Sequence, residues 1–362
     1  MTRADDTAAA IAARRHQYQR QLAYGTGQFF MPRRITCPEC DSTALRRRLR
    51  TRDHVQGKPG IFTLDQCRAC RHIFQNPRLT LEGLNFYYRD FYEGLGDRAA
   101  ARMFGGRIHA KRFRGSVRAL MRPGQARPRR WLDVGTGRGY FCATAQEELP
   151  DTVFDGLDRS ESVERAAKEG RLSTAYRGQL TELTAHITGR YDVVSMFHYL
   201  EHTLKPREEL VAARSALRPG GYLFIEMPNP ESPFGRLLGS RWMPWFQPQH
   251  LHLPPMRNLC DQLERNGFTV VSASRTGDQH IPVDLVCATW FWINRVLPRE
   301  DAPWLAKRPG RAAAVTRTAL SVAAAPFVLL AYGLDLVLAP VVRRTPFSNA
   351  YRVIARWDMV GP

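Results

Sequence analysis

Five residues in the second half of the chain have the side chains that acid–base chemistry requires. They are His198, Glu201, His202, His250 and His252. A histidine changes charge near neutral pH, and a carboxylate beside it can determine which ring nitrogen accepts a proton. The first three come directly after an apolar run, so we expect them where a strand ends. All five residues are therefore candidates for a general base, and a capping or packing role is the alternative for Glu201 and His202.

The same segment, His198-Tyr-Leu-Glu-His202, fits the His-x-x-Glu-His pattern of one class of zinc proteases. Those enzymes carry the pattern on a helix, whereas here it follows a strand. Protease chemistry is therefore disfavoured.

Four of the seven cysteines form two Cys-x-x-Cys pairs, Cys37 with Cys40 and Cys67 with Cys70. Two such pairs supply the four thiolates of a closed, tetrahedral zinc site, which would be structural because no coordination position is open. The alternative is two redox-active or disulfide pairs. The other three cysteines stand singly in apolar contexts, which favours a reducing compartment.

A glycine-rich loop follows the apolar strand that ends in Asp133, with glycines at positions 135, 137 and 139. Glycines let the backbone turn sharply and approach a ligand closely. A dinucleotide-binding fingerprint would need glycine at position 140, where Tyr140 stands. Asp158 ends the next strand, 19 residues beyond Gly139, which is the spacing of a carboxylate that binds both ribose hydroxyls.

Short apolar runs alternate with amphipathic stretches from residue 131 to residue 274, which predicts an α/β, doubly wound parallel sheet. The predicted strands are Trp131–Val134, Val153–Leu157, Ala175–Arg177, Val193–Phe197, Tyr222–Met227 and Phe268–Ser274. The predicted helices are Leu81–Tyr92, Arg107–Met121, Tyr140–Glu148, Glu161–Glu169, Pro206–Ala216 and Met256–Asn266, and the segment Leu180–Ile187 follows the short strand Ala175–Arg177.

Five ordered blocks of this region resemble the class I S-adenosylmethionine (SAM)-dependent methyltransferases of the bacterial Leu-Glu-His type. The blocks are Trp131–Phe141, Phe154–Ser160, Tyr191–His202, Leu217–Glu226 and His250–Phe268. The resemblance implies a Rossmann-like sheet of seven strands and SAM as the cofactor. The cofactor-binding residues that it implies are Asp133, Gly135, Thr136, Gly137, Gly139, Asp158, Arg159, Gln179, Leu180 and Phe197.

The resemblance also implies methyl transfer to oxygen or carbon of a small biosynthetic intermediate, for which a lipophilic character is compatible with the sequence. Some ubiquinone-pathway O-methyltransferases carry Glu-x-x-Glu-His at this place and bind a divalent ion. Here His198 stands in place of the first glutamate, so the sequence does not decide whether this chain binds such an ion.

The chain has a formal net charge of +19, and residues 1–130 contribute 27 basic and only 10 acidic side chains. Such a region suits an anionic membrane or a nucleic acid, although a solvated arginine-rich surface explains it equally well. RNA methylation is the rival activity, disfavoured because no Asn/Asp-Pro-Pro-Tyr motif is present. A non-catalytic, membrane-docked scaffold is a third interpretation, which the intact glycine loop argues against.

Residues Thr318–Val342 are apolar apart from Asp335. A continuous helix of this length would cross a bilayer. Pro326 is expected to interrupt the helix. Asn349–Trp357 resembles an antiparallel last strand of the sheet, which a segment that crossed the membrane could not join. We therefore expect Trp290–Arg344 to form two helices that leave the domain and return to it on the same side of the membrane. They would lie in the membrane interface, cap the active site, or pack as a buried hairpin or dimer contact.

The first residues of the sequence contain no apolar stretch typical of a secretory signal, so we expect a cytoplasmic protein. If the apolar helices bind lipid, we expect it to be peripheral at the inner face of the membrane. The predicted organisation has six parts. The parts are a helical lead-in (1–34), a zinc ribbon (35–78), a helical connector or lid (79–128), the SAM-binding domain (129–289), an apolar helical insertion (290–346) and the last strand (347–362).

Overall fold

The computed structural model describes residues 3–90, 106–121 and 127–358, with the backbone alone for residues 3–10 and Arg107. The strands are β1 Leu45–Thr51, β2 Phe62–Cys67, β3 Ile73–Gln75, β4 Arg130–Val134, β5 Val153–Asp158, β6 Thr174–Arg177, β7 Tyr191–Phe197, β8 Leu217–Pro228, β9 His252–Leu253, β10 Phe268–Ser274 and β11 Ala350–Trp357. The helices are α1 Arg3–Leu22, α2 Leu81–Tyr88, α3 Arg107–Leu120, α4 Tyr140–Glu148, α5 Ser162–Lys168, α6 Leu180–Ile187, α7 Pro206–Ala216, α8 Phe234–Leu237, α9 Met256–Arg265, α10 Asp284–Val296 and α11 Arg311–Val342.

The central sheet has seven strands in the order β6-β5-β4-β7-β8-β11-β10. Strands β4 to β8 of this sheet are parallel, and β11 runs antiparallel to both of its neighbours. The chain winds outward in one direction from β4 to β6 and in the other from β7, so a crevice opens between the ends of β4 and β7. Ligands of doubly wound folds bind at such a switch point. The predicted α/β class and the antiparallel last strand are confirmed.

Helices cover both faces of this sheet, because its strands are apolar on both sides. The core on one face includes side chains of α6, α7 and α9, and the core on the other face includes side chains of α3, α4 and α5. The helix starts agree with their sequences: α7 begins with Pro206, and at the start of α6 Gln179 and Glu182 form a reciprocal capping box. This layering fixes the loops that follow β4, β5 and β7.

A second, four-stranded sheet contains the cysteine region, in the order β1-β2-β3-β9. Strands β1 and β2 form an antiparallel hairpin in the segment between the two cysteine pairs. Strand β9, however, comes from the catalytic region, where Leu253 pairs with Ile73 and His252 with Phe74. The ribbon therefore shares a sheet with the segment that carries two of the candidate histidines.

The C-terminal insertion forms two helices, as predicted, but Pro326 does not interrupt them. Helix α11 runs without a break from Arg311 to Val342 and includes both Pro326 and Pro340. Helix α10 begins at Asp284, six residues before the predicted start of the insertion. Helix α2 ends at Tyr88. The predicted end of that helix (residues 91–92) lies outside the described residues, as do residues 122–126 of the predicted connector.

Candidate active site

The glycine loop after β4 keeps its backbone open towards the crevice. Gly135, Gly137 and Gly139 have φ angles of 78°, 55° and 69°, in the left-handed region that favours glycine. A Cβ atom at Gly135 would lie 2.7 Å from Cδ2 of Tyr199, whereas one at Gly137 would meet nothing within 4 Å. Gly135 is thus required by packing, and Gly137 leaves space for a ligand.

Asp158 lies at the end of β5 and joins that strand to the glycine loop. Its Oδ2 accepts a hydrogen bond from the Gly137 amide at 2.9 Å, and its Oδ1 accepts from the amide and hydroxyl of Ser160, both at 2.8 Å. The side chain is half-buried and lines the crevice together with Arg159, Gln179 and Phe197. Asp158, the residue predicted to bind the ribose, therefore lies beside the glycine loop.

Three further predicted cofactor residues, Asp133, Thr136 and Leu180, are largely or completely buried. Asp133 accepts a hydrogen bond of 2.6 Å from the Ser195 hydroxyl, and burial raises the pKa of this carboxyl to about 7. Asp133 and Thr136 still line the crevice. Leu180 is fully buried in the core against one face of the sheet and does not line the crevice.

His198 is the first residue after β7 and has a strained backbone, with a φ angle of 53°. Its amide donates to the Glu226 carbonyl at 2.9 Å, which fixes this turn over the end of β8. Its Nδ1 lies 3.2 Å from Oε1 of Glu201, a side chain with no exposed surface. Its Nε2 has no hydrogen-bond partner among the described residues. With a proton on Nδ1 donated to Glu201, Nε2 is left to accept one.

Glu201 is also close to two other imidazoles. His250 Nε2 lies 3.9 Å from Glu201 Oε1, and the rings of His250 and His202 are 4.6 Å apart. Burial lowers the pKa of His250 to about 3, with a further effect of His202. Burial alone would raise the pKa of Glu201, but the hydrogen bond from His198 and the charges of the neighbouring histidines bring it below its usual value.

The donor atoms of Glu201, His202 and His250 all lie within 4.8 Å of one another, so this group could hold a metal ion. The remaining ring nitrogens already have partners: His202 Nδ1 lies 2.7 Å from the Tyr88 hydroxyl, and His250 Nδ1 lies 2.8 Å from the Pro244 carbonyl. In metal sites, a hydrogen bond at one ring nitrogen of a histidine orients the other ring nitrogen towards the ion, and these two contacts have that arrangement.

His252 lies apart from the other candidates. Its ring packs against His72, with centroids 5.6 Å apart, and neither ring has a hydrogen-bond partner among the described residues. His252 does not line the crevice. Sequence proximity to His250 was misleading because the chain enters β9 between them, and this strand belongs to the ribbon sheet.

A buried ion network beneath His198 was not predicted from the sequence. Glu226 has no exposed surface and accepts hydrogen bonds from Arg112 at 2.6 Å, Arg352 at 2.8 Å and Ser116 at 2.8 Å. Burial raises its pKa, but the two guanidiniums more than offset this and bring it to about 2. A glutamate within the apolar run of β8 was the available signal, but its partners are distant in sequence.

The four predicted zinc ligands lie together. Cys37 and Cys70 have sulfur atoms 3.6 Å apart, as do Cys40 and Cys67, and all four atoms are within 4.8 Å of one another. Zinc–sulfur bonds of about 2.3 Å in a tetrahedron separate the sulfur atoms by about 3.8 Å, whereas a disulfide bond is about 2.05 Å long. The cluster fits zinc and not two disulfides.

The cysteine cluster is connected to the acid–base residues by backbone contacts. The amide of Gln75 on β3 donates to the Leu251 carbonyl at 2.9 Å, and the amide of Leu251 donates to the Glu201 carbonyl at 2.7 Å. On the other side of the cluster, Asn258 of α9 donates to the Cys70 carbonyl at 3.0 Å. The ribbon thus positions the loop that carries His250.

Comparison with known proteins agrees with this geometry. Residues 107–273 match the family model described as a methyltransferase domain. Residues 107–273 of the chain thus form a methyltransferase domain. The match extends from α3 through β10 and includes every crevice-lining residue discussed above from Asp133 to His250.

Among the curated relatives of the chain, the ubiquinone biosynthesis O-methyltransferase of Bordetella avium is 30% identical over 36% of the chain and 56% of the relative. The enzyme of the same name from Cereibacter sphaeroides is 30% identical over 45% of the chain and 66% of the relative. A SAM-dependent methyltransferase structure from Archaeoglobus fulgidus has a TM-score of 0.43 and 20% identity, covering 71% of this chain and 97% of that one. The chain spans between about half and two thirds of the length of these relatives.

Proposed function

We propose that the protein transfers the methyl group of SAM to an oxygen or carbon atom of a small-molecule acceptor. The observation that carries this proposal is a single crevice lined by the Asp158 side chain, by Gly137 and by His198, whose ring the fully buried Glu201 contacts at Nδ1. A ribose-binding carboxylate and an oriented base then face each other across the switch point of the sheet.

The bound cofactor supplies a methyl group already activated on a sulfonium. The protein aligns the acceptor with that group, excludes water and removes the acceptor's proton, and alignment alone can contribute about 7–11 kcal/mol in ideal cases. His198 Nε2 accepts the proton, and Glu201 holds the ring and stabilises the imidazolium that forms. Phe197 and Tyr199, which line the crevice, limit the access of water.

The shape of the crevice supports a lipophilic acceptor. Its volume is about 2960 Å³, and beyond His198 it is lined by apolar residues of α10 and the following loop, including Trp290, Phe291 and Leu297. An amphiphile with its reactive group at His198 would place an apolar portion along these side chains. The names of the curated relatives favour oxygen as the methylated atom.

A second arrangement uses the same residues with a divalent cation. The convergence of Glu201, His202 and His250 favours it, and a cation there would bind and polarise an acceptor hydroxyl. The two arrangements differ in metal dependence. Activity that survives exhaustive chelation and does not rise with added magnesium or manganese supports the His198 mechanism without metal.

The cysteine cluster is proposed to hold one structural zinc ion, since four sulfur donors leave no position for a substrate.

RNA is the rival acceptor, because the exposed side chains of Arg46, Arg47 and Arg50 lie on the outer edge strand β1. Arginines on an edge strand also prevent unwanted strand pairing, which explains them without RNA. Methyl incorporation into RNA instead of small molecules would favour the rival.

Titration calorimetry with S-adenosylhomocysteine tests the cofactor assignment directly. The wild-type protein is expected to bind it with micromolar affinity, and Asp158→Ala is expected to abolish binding, while Asp158→Asn retains part of it. Asp151→Ala is the matched control, because Asp151 is an exposed acidic residue of a neighbouring turn. Unimpaired binding by a folded Asp158→Ala variant, checked by circular dichroism, would remove the ribose assignment.

A further inference from the structure

Helix α11 is apolar around its whole circumference, and most of its surface is exposed. Twelve large apolar or aromatic side chains of this helix are exposed, including Phe327, Leu330 and Val337 at 66%, 62% and 74%. Its buried residues are Ala331, Asp335, Ala339 and Val342, which form one narrow stripe near the C-terminal end. A helix that is hydrophobic on all sides is normally covered by protein or lipid. We therefore expect lipid or another protein surface to cover the exposed apolar side chains of α11.

Both ends of α11 are held on the same globular body. At the C-terminal end, the backbone carbonyl of Arg343 accepts a hydrogen bond from the amide of Gly277, and the chain continues into β11 of the central sheet. At the N-terminal end, Arg317 donates to the Pro298 carbonyl at 2.7 Å and to Asn294 at 2.8 Å.

The loop that precedes α11 is attached to the body as well. Asp301 forms an ion pair with Arg15 of α1, and the Trp304 carbonyl accepts a hydrogen bond from Gln19 at 3.3 Å. The Trp304 ring also contacts Tyr18 and the ammonium group of Lys58. A helix of 32 residues is about 48 Å long, enough to cross a bilayer. Since its two ends are fixed to one body, it lies along the protein surface and does not cross a membrane.

The one acidic side chain of the helix is removed from this apolar surface. Asp335 is buried, and its two oxygens accept hydrogen bonds from the amides of Leu285 at 3.0 Å and Val286 at 2.9 Å, at the N-terminal end of α10. An anion is favourable at that end of a helix. The carboxylate is therefore satisfied within the protein, and it also joins α10 to α11.

Cations and tryptophans border the exposed surface. Arg311 and Arg344 are exposed at the two ends of α11, and Arg295 is exposed near the end of α10. Trp290 and Trp292 of α10 are 36% and 58% exposed. Tryptophan is enriched at membrane–water interfaces, and arginines beside an apolar surface attract anionic headgroups.

From these observations we infer that the α10–α11 hairpin docks the protein on an anionic lipid surface, with the apolar side of α11 in the interface and its axis parallel to the membrane. A second copy of the chain packed with its α11 parallel or antiparallel to this one would bury the apolar side but would bring the terminal arginines together. The arginines at the ends of the hairpin therefore favour an anionic lipid surface over a second copy of the chain. The inference does not depend on methyl transfer, although it explains how an acceptor that resides in the membrane reaches the crevice beside α10.

Vesicle flotation tests the inference. The full chain is expected to float with vesicles of phosphatidylcholine and phosphatidylglycerol, and about tenfold less with phosphatidylcholine alone. The double variant Phe327→Glu/Val337→Glu is expected to lose at least about tenfold of this binding. Val211→Glu, at an exposed apolar position of α7, is the matched control and is expected to bind as the wild type does.

Two further measurements identify the docking surface and its occupant. Vesicles with brominated acyl chains are expected to quench tryptophan fluorescence, and Trp290→Phe/Trp292→Phe is expected to lose much of that quenching. Light scattering without vesicles gives the oligomeric state. Failure of the wild type to float on anionic vesicles would overturn the inference, as would a stable dimer that the double variant dissociates. Retained S-adenosylhomocysteine binding in the double variant would keep this result separate from the proposed activity.

Discussion

The two sides of the crevice are built in different ways. The cofactor side consists of loops that follow adjacent parallel strands, and Gly135, Gly137 and Asp158 lie within 24 consecutive residues. The acceptor side brings together His198 after β7, Tyr88 of α2, His250 before β9 and the apolar face of α10. A site built from neighbouring loops of one sheet depends on the sheet alone, whereas a site built from distant segments depends on every contact that holds them.

This difference predicts that the zinc ribbon supports the acceptor side far more than the cofactor side. Cys40→Ser is expected to remove the metal, disorder β1–β3 and release the β3–β9 pairing, since structural zinc contributes about 10–16 kcal/mol to peptide-sized modules. Hydrogen exchange at residues 247–253 is expected to rise sharply, while affinity for S-adenosylhomocysteine changes by less than about tenfold.

Cys260→Ser is the matched control for that experiment, because Cys260 lies on α9 outside the cluster. It is expected to retain one zinc ion per chain, measured by mass spectrometry. An unchanged zinc content in Cys40→Ser, or equal exchange in the two variants, would contradict the proposed support.

Glu201→Gln is expected to disable the acceptor side without affecting the cofactor side. The substitution preserves shape but removes the charge that orients His198, and general base catalysis typically contributes about 10²–10⁴-fold. Transfer of labelled methyl from SAM to solvent-extractable compounds of a bacterial lysate should fall by about that factor, with unchanged affinity for S-adenosylhomocysteine. A shift of the pH–rate profile would accompany the loss if the residue orients the base. A loss of cofactor affinity equal to the loss of rate would show that the two sides are not separable.

The backbone of His198, on the acceptor side, is held by Glu226, and acid should weaken the ion network around this residue. The pKa of Glu226 is about 2 in the folded protein, below its ordinary value of about 4.5. Its stabilising contribution is therefore complete above pH about 4.5 and is lost as the pH falls towards 2, with about 2 kcal/mol already lost at pH 3.

Denaturant unfolding of Glu226→Gln measures this contribution. The variant leaves two guanidiniums without a charged partner, which costs about 3–5 kcal/mol at pH 7. The difference from the wild type should narrow by about 2 kcal/mol at pH 3. Glu147→Gln removes an exposed carboxylate that pairs with Arg114, and should change little at either pH. A difference that stays constant with pH would contradict the assigned pKa.

The smallest predicted effects distinguish two glycines of the same loop. Gly137→Ala meets no neighbour and is expected to cost only the strain of a left-handed backbone, about 1 kcal/mol. Gly135→Ala would in addition push against the Tyr199 ring and should cost more. Thermal melts of the two variants and their affinities for S-adenosylhomocysteine measure this. Equal stabilities would show that Tyr199 moves aside freely.

The comparison also explains what could be predicted from the sequence. The order of strands, the Asp158 position and the cysteine cluster follow from local patterns, because each depends on residues close in sequence or on a well-defined ligand spacing. The separation of His252 from His250 could not be predicted, since a two-residue strand carries almost no pattern. Likewise the partners of Glu226 lie more than 100 residues away in both directions. The prediction that Pro326 interrupts the helix was wrong, because α11 continues through both Pro326 and Pro340.

The structure of the protein in complex with S-adenosylhomocysteine is the most direct test of the central claim. The account predicts the ribose hydroxyls within hydrogen-bond distance of the Asp158 carboxylate, the amino-acid moiety along the backbone of Gly135–Gly137, and the sulfur atom facing His198. A crevice that stays empty at saturating ligand, or a nucleoside bound away from Asp158, would contradict it.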